Sequence, residues 1–311
     1  MLSIGGCSLD RGQTLSGQQF QFFGGDWTEQ KLEALDRYLT EYVKVMKNQP
    51  FECIYIDAFA GTGYREKETS SLQEGFFAEE LTEPEPQEFF DGSARKALRV
   101  VPPFHRYLFV ERSAKRFTQL VKLRDEFPAL AERMDFRKED CNLVLQDLCR
   151  KWSRNTRGVL FLDPFGMQVD WSTLQAVAST RAIDVWILFP LGMGVNRMLA
   201  RTSGQIPQSW RARLDRFFGT AEWFERFYKP STIQGLFGDE PKMIRSGSFN
   251  AIADYYQERL HTIFADVANN PRVLRNTRGN PLFLLCFAVG NPSPKARKIA
   301  LSIAQYILGM D

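Results

Sequence analysis

Residues 51–65, FECIYIDAFAGTGYR, constrain the fold more than any other stretch of this chain. An apolar run at residues 54–56 ends in Asp57 and leads directly into a glycine-rich turn at residues 59–63. A continuous apolar run is typical of a parallel strand that is buried on both faces. In open α/β sheets, ligands bind beside the carboxyl ends of such strands, where glycine lets the backbone approach closely. The stretch therefore predicts the first strand and ligand loop of a nucleotide-binding α/β sheet, with an ordinary strand and turn as the alternative.

The glycine turn lacks both common phosphate-binding patterns, since neither GxxxxGK[ST] nor GxGxxG is present. The pattern Asp-x-Phe-Ala-Gly-x-Gly instead resembles motif I of class I S-adenosylmethionine (SAM) dependent methyltransferases. That resemblance implies that Asp57 orders the ammonium group of the cofactor. It also implies that the turn packs against the methionine part, through Phe59, Ala60, Gly61 and Gly63. A carboxylate suits a cofactor that carries a sulfonium and an ammonium but no phosphate.

Two further predicted strands are also followed by acids. The apolar run at residues 106–110 ends in Glu111, where a carboxylate can accept both hydroxyl protons of a nucleoside ribose. Residues 134–137 predict a short third strand, and class I methyltransferases often place an acid after it to read the adenine amine. The resemblance carries this role to Asp140. The alternatives are a charge near a helix for Glu111 and the N-cap of a helix at residues 143–152 for Asp140.

Residues 158–162 predict a fourth strand, and the sequence Asp163-Pro164-Phe165-Gly166 follows it. This sequence resembles motif IV of the amino-methyltransferases, [DNS]PP[FYW]. In that motif the first residue and the backbone accept the hydrogens of the target amine, and an aromatic ring stacks on the flipped base. The resemblance implies catalytic roles for Asp163, Pro164 and Phe165. Only one proline is present and the aromatic comes one place early, so an acceptor other than an amine and a purely structural turn both stay open.

The rest of the pattern completes the sheet. Residues 184–190 predict a fifth strand, residues 273–278 a sixth and residues 281–289 a seventh, with Gly279-Asn280 turning the chain between the last two. An antiparallel hairpin that closes a parallel sheet distinguishes the methyltransferase sheet from ordinary dinucleotide-binding folds. We therefore predict an α/β fold with a Rossmann-like class I methyltransferase sheet. This sheet is mostly parallel and seven-stranded, with a closing antiparallel hairpin and helices on both faces.

Segments outside the sheet pattern divide the remaining chain. Residues 1–24 lack periodicity and predict a flexible N-terminal arm, followed by one methyltransferase-like domain at residues 25–311. An amphipathic helix ending near Met46 should cover one face of the sheet or shield the cofactor pocket. Residues 66–92 predict a loop insertion, either functional or dispensable. Residues from about 192 to 258 predict a helical insertion whose arginines and aromatics either bind nucleic acid or form core.

Charge and cysteine content bound the class of function. The net charge of the 311 residues is only +3, but residues 193–311 hold 16 Lys and Arg against 9 Asp and Glu. Arginine outnumbers lysine 27 to 13, which suits phosphate binding and base stacking, so the basic half is compatible with DNA or RNA as partner, with a solvated basic face as the equal alternative. Five scattered cysteines without a CxxC pair, and only two histidines, disfavour a metal site. We expect a cytoplasmic protein with reduced thiols, no secretory leader and no membrane-spanning segment.

Six blocks in serial order carry a further resemblance, over about residues 22–308. They read GDWTEQKLEALDRYLTEYV, YIDAFAGTG, DGSARKAL, YLFVERS, FLDPFG, and GVNRML with FFGTAEWF. These blocks resemble the three-Cys-motif partner protein (TcmP) family. The family is methyltransferase-like and is named for a neighbouring three-cysteine-motif protein that resembles radical SAM enzymes. The resemblance implies such a partner and a substrate-binding pair at Asn196 and Arg197; an ion pair of Arg197 within the fold is the alternative.

Taken together, the sequence predicts a SAM-dependent methyltransferase that acts on nucleic acid with a partner protein. Methyl transfer would be an in-line displacement by a nucleophile near Asp163. The alternative is a diverged methyltransferase-like binding module that works as a partner subunit. A nucleotide-processing enzyme would need metal-binding acids, and Asp163 with Asp170 is thin evidence for them.

Overall fold

The computed structural model describes residues 26–61, 92–235 and 238–310. The predicted N-terminal arm, nearly all of the predicted loop insertion at residues 66–92, and Gly63 lie outside these residues. The strands are β1 (Glu52–Asp57), β2 (Arg106–Val110), β3 (Met134–Arg137), β4 (Thr156–Leu162), β5 (Ile183–Phe189), β6 (Tyr228–Gly235), β7 (Gly238–Arg245), β8 (Asp266–Val267), β9 (Arg272–Arg275) and β10 (Pro281–Val289).

Helices connect and cover these strands. They are α1 (Asp26–Met46), α2 (Ser93–Arg99), α3 (Ala114–Val121), α4 (Leu123–Glu126), α5 (Cys141–Arg150), α6 (Trp171–Ser179), α7 (Asn196–Met198), α8 (Gln208–Phe218), α9 (Trp223–Phe227), α10 (Phe249–His261) and α11 (Pro294–Leu308). Shorter helical turns lie at Pro128–Arg133, Leu191–Val195 and Ser203–Gln205. Within the described ranges, no helix has the length and apolar content needed to cross a membrane.

The main sheet has the order β3-β2-β1-β4-β5-β10-β8, with β9 also paired to β10. Strands β1 to β5 are mutually parallel, whereas β10 runs antiparallel to β5, β8 and β9. The predicted fold class, a mostly parallel α/β sheet closed by an antiparallel hairpin, is confirmed. Because the strand order reverses between β1 and β4, the sheet has its topological switch point there.

The closing edge differs from the predicted one. Instead of one sixth strand at residues 273–278, two short strands lie along the same edge of β10, so the sheet has eight strands rather than seven. Pro271 stands between these short strands and has no N–H to donate to a ladder, which separates the pairing of Val267 from that of Arg272. Gly279, with φ of 77°, forms the predicted turn into β10.

Two apolar cores sandwich the sheet, because alternate side chains of each strand point to opposite faces. Tyr55 of β1 belongs to the core that contains α1, α2 and α11. Its neighbour Ile56 belongs to the core that contains α5, α6, α8 and α10. This double burial explains why the strands are nearly continuous apolar runs in the sequence.

A buried hydrogen-bond network fixes α1 on the sheet. Tyr38 and its neighbours Leu35 and Leu39 are at most 1% exposed, and the Tyr38 hydroxyl donates to Asp184 Oδ2 over 3.0 Å. The amide of Gly290 donates to Asp184 Oδ1 over 3.1 Å. Burial raises the pKa of the Asp184 carboxyl to about 6, despite these two hydrogen bonds. The network therefore connects α1 to β5 and to the end of β10.

The predicted helical insertion also contains strands. Helices α7 to α10 lie in this part of the chain, but β6 and β7 between them form an antiparallel hairpin that the sequence did not indicate. Each strand carries a proline, Pro230 and Pro241, and proline within a run usually argues against a strand. Proline is tolerated where the outer edge of a ribbon strand is unpaired; β7 is bridged to Thr202 at Ile244, three residues from Pro241.

The aromatics of the insertion form core, which was one of the two sequence-based alternatives. Five of them are buried and pack against the sheet: Phe217, Phe218, Trp223, Phe227 and Tyr228. Phe224 is partly buried beneath the guanidinium of Arg211, 4.8 Å from its ring centre. The five buried rings are therefore part of the protein core. The alternative that they stack on nucleic acid is wrong for these five.

Tyr38→Phe should lower the free energy of unfolding by about 1–3 kcal/mol, because it leaves Asp184 Oδ2 buried without that donor. The ring contacts of Tyr38 with Trp186 and Phe287 should persist, so the loss isolates the hydroxyl. Urea denaturation measures the change. Tyr306→Phe is the matched control, since Tyr306 is exposed and should change stability by less than about 0.5 kcal/mol. Equal effects of the two substitutions would contradict the role assigned to Tyr38.

Candidate functional site

The carboxyl edge of the sheet brings acids from separate parts of the chain together. Asp57 at the end of β1 is in register with Phe109 of β2 and Phe161 of β4. Glu111 and Asp163 each follow two residues after these partners. The two carboxylates therefore lie on either side of the first loop, and Asp163 lies at the topological switch point. The three acids therefore lie along one edge of the sheet.

Asp57 supports the loop from within. Its carboxyl is fully buried and accepts hydrogen bonds from Ser93 Oγ at 2.6 Å, the Phe59 amide at 3.2 Å and the Tyr55 hydroxyl at 3.3 Å. Burial raises the pKa of Asp57 to about 7, with the charge of Asp163 adding to the rise and the hydrogen bonds opposing it. Asp57 thus ties β1 to the glycine turn and to the start of α2. Its contact with a cofactor ammonium stays a prediction.

Gly61 is required by the close approach of Glu111. A Cβ atom at Gly61 would lie 2.5 Å from Glu111 Oε2 and 3.2 Å from the Arg116 side chain. The Glu111 side chain is only about 6% exposed; its Oε1 accepts from the Ser113 amide at 2.6 Å and its Oε2 from Arg116 Nε at 3.1 Å. The glycine turn and the acid after β2 are therefore packed directly against each other, which a side chain at position 61 would prevent.

Asp140 caps helix α5. Its Oδ1 accepts a hydrogen bond from the Asn142 amide at 2.9 Å and another from the Asn142 side chain at 3.1 Å. The N-cap alternative is therefore the role that the contacts show. A further contact of Asp140 with an adenine amine stays a prediction.

The Asp-Pro-Phe loop after β4 combines a paired acid with an exposed ring. Asp163 Oδ2 accepts a hydrogen bond from Lys31 Nζ at 2.6 Å, and the Asp163 side chain stays 24% exposed. Pro164 is buried. Phe165 is 45% exposed, and its amide donates to Gln168 Oε1 at 3.1 Å, which holds the loop closed. The loop therefore presents a carboxylate and an aromatic face at the same edge.

Lys31 also lies at this edge, although the sequence pattern did not indicate it. It lies on α1 within the apolar stripe, four residues before Leu35 and eight before Leu39, and its side chain is only 8% exposed. A lysine at a stripe position is a signal in itself, because lysine is rarely buried without a partner. The sequence does not name that partner, since Asp163 is 132 positions away.

Arg116 of α3 connects the two loops. Besides donating to Glu111, its guanidinium lies 5.3 Å from the centre of the Phe165 ring, within cation–π range. One arginine therefore contacts both the acid proposed for the ribose and the ring proposed for the acceptor. Nothing in the sequence distinguishes this arginine among the 27 of the chain.

The Asn-Arg pair after β5 has a structural partner. Asn196 accepts hydrogen bonds from Arg245 of β7 at its side-chain oxygen and, over 3.1 Å, at its backbone oxygen. Arg245 also donates to the Leu199 carbonyl at 2.9 Å. These contacts dock the hairpin onto α7. Arg197 is half-buried on α7, and substrate binding by the pair stays a prediction.

Several solved structures are similar to this chain. No protein-family model and no curated protein matched it. A Legionella pneumophila protein of the DUF519 family matches with 14% identity over 77% of this chain and 93% of that chain, at a TM-score of 0.38. The glycopeptide N-methyltransferase MtfA, complexed with S-adenosylhomocysteine (SAH), has 10% identity over 88% and 93% (TM-score 0.33). Magnesium protoporphyrin IX methyltransferase from Synechocystis, with bound SAH, has 12% identity over 76% and 90% (TM-score 0.34).

The raised pKa of Asp57 predicts how stability depends on pH. A carboxyl whose pKa is higher in the folded than in the unfolded protein stabilises fully only below its unfolded value, here 3.8. That contribution is lost as the pH rises through about 7. Asp57→Asn should therefore become more stable relative to wild type as the pH rises from about 4 to about 7.

Urea unfolding of both proteins across this pH range measures the difference. Asp184 titrates in both proteins and cancels from the comparison. Glu29→Gln, at an exposed position of α1, is the control for removing a carboxyl group. A stability difference between Asp57→Asn and wild type that is constant with pH would contradict the prediction.

Proposed function

We propose that this protein is a SAM-dependent methyltransferase that acts on nucleic acid together with a partner protein. The observation that carries the proposal is the juxtaposition of Gly61 and Glu111 beside the switch point, with Asp163 and the exposed Phe165 on the neighbouring loop. Cofactor-type and acceptor-type residues are thus adjacent on one edge of a methyltransferase-like sheet.

The donor set fits this cofactor. Gly61 leaves backbone free to approach a ligand, and Glu111 at the end of β2 can accept ribose hydroxyl protons, since a carboxylate has about four acceptor positions and two are used. Asp57 holds the turn in shape, and Asp140 lies at the start of α5. When bound, SAM supplies a methyl group on a sulfonium. The acceptor's lone pair forms the new bond to that methyl carbon while the carbon–sulfur electron pair returns to sulfur.

The chain's own contribution to such a transfer would be positioning. Asp163 can accept a hydrogen from an N–H or O–H acceptor, and the exposed ring of Phe165 can stack on a flat base. Holding the acceptor in line with the methyl group removes much of the entropic barrier to the reaction. Because the methyl donor is already activated, this positioning is the larger part of the site's contribution.

Nucleic acid as the substrate class is supported by charge and by Phe165. The excess of Lys and Arg in residues 193–311 lies in the half of the chain that contains the insertion. Since the buried aromatics of the insertion are committed to the core, Phe165 is the predicted stacking ring. The serial resemblance to the TcmP family supports a three-Cys-motif protein as the partner.

Glu111→Ala should weaken SAM and SAH binding by about 10- to 100-fold, because hydrogen bonds to a charged acceptor contribute roughly 1.5–3 kcal/mol each. Isothermal titration of purified protein with each ligand measures this. Glu132→Ala, at an exposed position, should bind like wild type and is the matched control. Micromolar binding that Glu111→Ala does not affect would remove Glu111 from the cofactor site.

Asp163→Ala should reduce methyl transfer at least about 100-fold while changing SAM affinity less than about threefold, since it removes an acceptor-side contact only. The assay follows tritium from methyl-labelled SAM into random-sequence RNA and DNA oligonucleotides. Asp147→Ala on the exposed face of α5 is the control. Loss of SAM affinity in Asp163→Ala would instead place this residue in the cofactor site.

The contacts also favour a second candidate, a binding module that has kept the fold without transfer activity. Asp57, Glu111 and Asp163 each have a partner inside the chain, so none of these acids needs a ligand to be satisfied. The titration separates the two candidates: a folded wild-type protein that binds neither SAM nor SAH would favour the module.

A further inference from the structure

Lys31 of helix α1 contacts Asp163 at the carboxyl edge of the sheet. Its ammonium lies 2.6 Å from Asp163 Oδ2 and 4.7 Å from the centre of the Trp27 ring, so both a charge and an aromatic face stabilise it. Trp27 itself packs on Phe283 of β10 at 5.0 Å. The ammonium is therefore held in one place by rigid elements.

The contact with Lys31 uses only one of the two carboxylate oxygens of Asp163. Lys31 takes Oδ2 of Asp163, whereas within the described parts of the chain no hydrogen bond is formed by Oδ1. The Asp163 side chain is 24% exposed, against 8% for Lys31. The pair thus has a buried cationic end and an accessible carboxylate end.

Stability alone does not account for this pair. Taking an ammonium and a carboxylate out of water costs about as much as their attraction returns, so buried pairs are often replaceable by apolar residues without loss. An apolar residue at position 31 would simply continue the stripe formed by Leu35 and Leu39. What only the lysine provides is a fixed orientation of the Asp163 carboxylate.

A second polar group on the same helix face has no partner. Thr28, one turn before Lys31, is 8% exposed, and within the described ranges its buried Oγ1 forms no hydrogen bond. Residues three apart on a helix share a face. The first turns of α1 therefore bury two polar side chains, Thr28 and Lys31, beside the apolar Trp27 and Leu32, where a helix that only covered the sheet would be apolar.

We propose that Lys31 is a positioning residue for methyl transfer. It holds Asp163 Oδ2 so that Oδ1 faces the methyl acceptor and accepts a hydrogen bond from its N–H or O–H group. This inference depends on the proposed function and adds to it a residue from α1. Lys31 acts through Asp163 and does not itself contact the acceptor. It also sets a chemical requirement, since the acceptor must be a nitrogen or oxygen nucleophile that still carries a hydrogen for Oδ1.

The test compares Lys31→Met, which keeps the length of the stem without the charge, with Lys31→Arg, which keeps the charge. Lys44→Met is the matched control, because Lys44 lies on the same helix in an exposed pair with Glu41. Titration with SAM should give dissociation constants within about threefold of wild type for all three variants. Thermal denaturation checks that Lys31→Met is folded.

With the labelled SAM and oligonucleotide assay, Lys31→Met should lower kcat at least 30-fold with little change in the KM for SAM. Lys31→Arg should restore at least a tenth of the wild-type kcat. In the Asp163→Ala background, Lys31→Met should cause no further loss, since the two residues act as a unit. Lys31→Met equal to Lys44→Met in kcat would overturn the proposal.

A crystallographic comparison tests the same point without an acceptor. In Lys31→Met crystals soaked with SAH, the Asp163 carboxylate should leave its wild-type orientation or split into two conformers, whereas in Lys31→Arg it should stay in one. An unchanged carboxylate in Lys31→Met would overturn the positioning role while the proposed function stands. Absence of SAM binding in folded wild-type protein would instead overturn the proposed function, and this inference with it.

Discussion

The common direction of β1, β2 and β4 is the constraint on which the candidate site depends. Parallel strands in register end together, so residues far apart in the chain meet wherever each strand is followed by a polar residue. Here that edge receives Asp57, Glu111 and Asp163. Were any one of these strands reversed, its acid would lie at the opposite edge of the sheet.

An edge that collects carboxylates between two apolar cores must also stabilise them. The fold does so differently for each acid. Asp57 is surrounded by three hydrogen-bond donors, and burial raises the pKa of its carboxyl to about 7 despite them. Glu111 and Asp163 instead have cationic partners on helices, Arg116 and Lys31 respectively. The second oxygen of Glu111 accepts a hydrogen bond from the Ser113 amide. The second oxygen of Asp163 has no hydrogen bond within the described residues.

Much of this arrangement could be predicted from the sequence, because it is encoded locally. Each of β1, β2 and β4 is a short apolar run directly followed by its acid, and doubly buried strands have that signature whatever their tertiary surroundings. The cap formed by Asp140 is local as well. These features needed only neighbours within a few positions.

What the sequence did not predict depends on contacts between distant segments. The partner of Lys31 is on another element, and the hairpin of β6 and β7 contains prolines, which in a sequence argue against a strand. The hydrogen bond between the Asn196 side chain and Arg245 was not predictable either, because Arg245 lies on that unpredicted hairpin. Similarly, Pro271 separates β8 from β9. This separation cannot be recognised without knowing that both strands pair with β10.

Arg116 gives the two loops a common dependence. Its Nε donates a hydrogen bond to Glu111 and its guanidinium lies 5.3 Å from the centre of the Phe165 ring, so a movement of Arg116 that breaks one contact changes the other. Such linkage is reciprocal: a ligand that draws Glu111 away from the arginine alters the ring's environment, and one that covers the ring alters the acid by the same amount of free energy. Two half-sites that share a single cation would thus be filled cooperatively or antagonistically, but not independently.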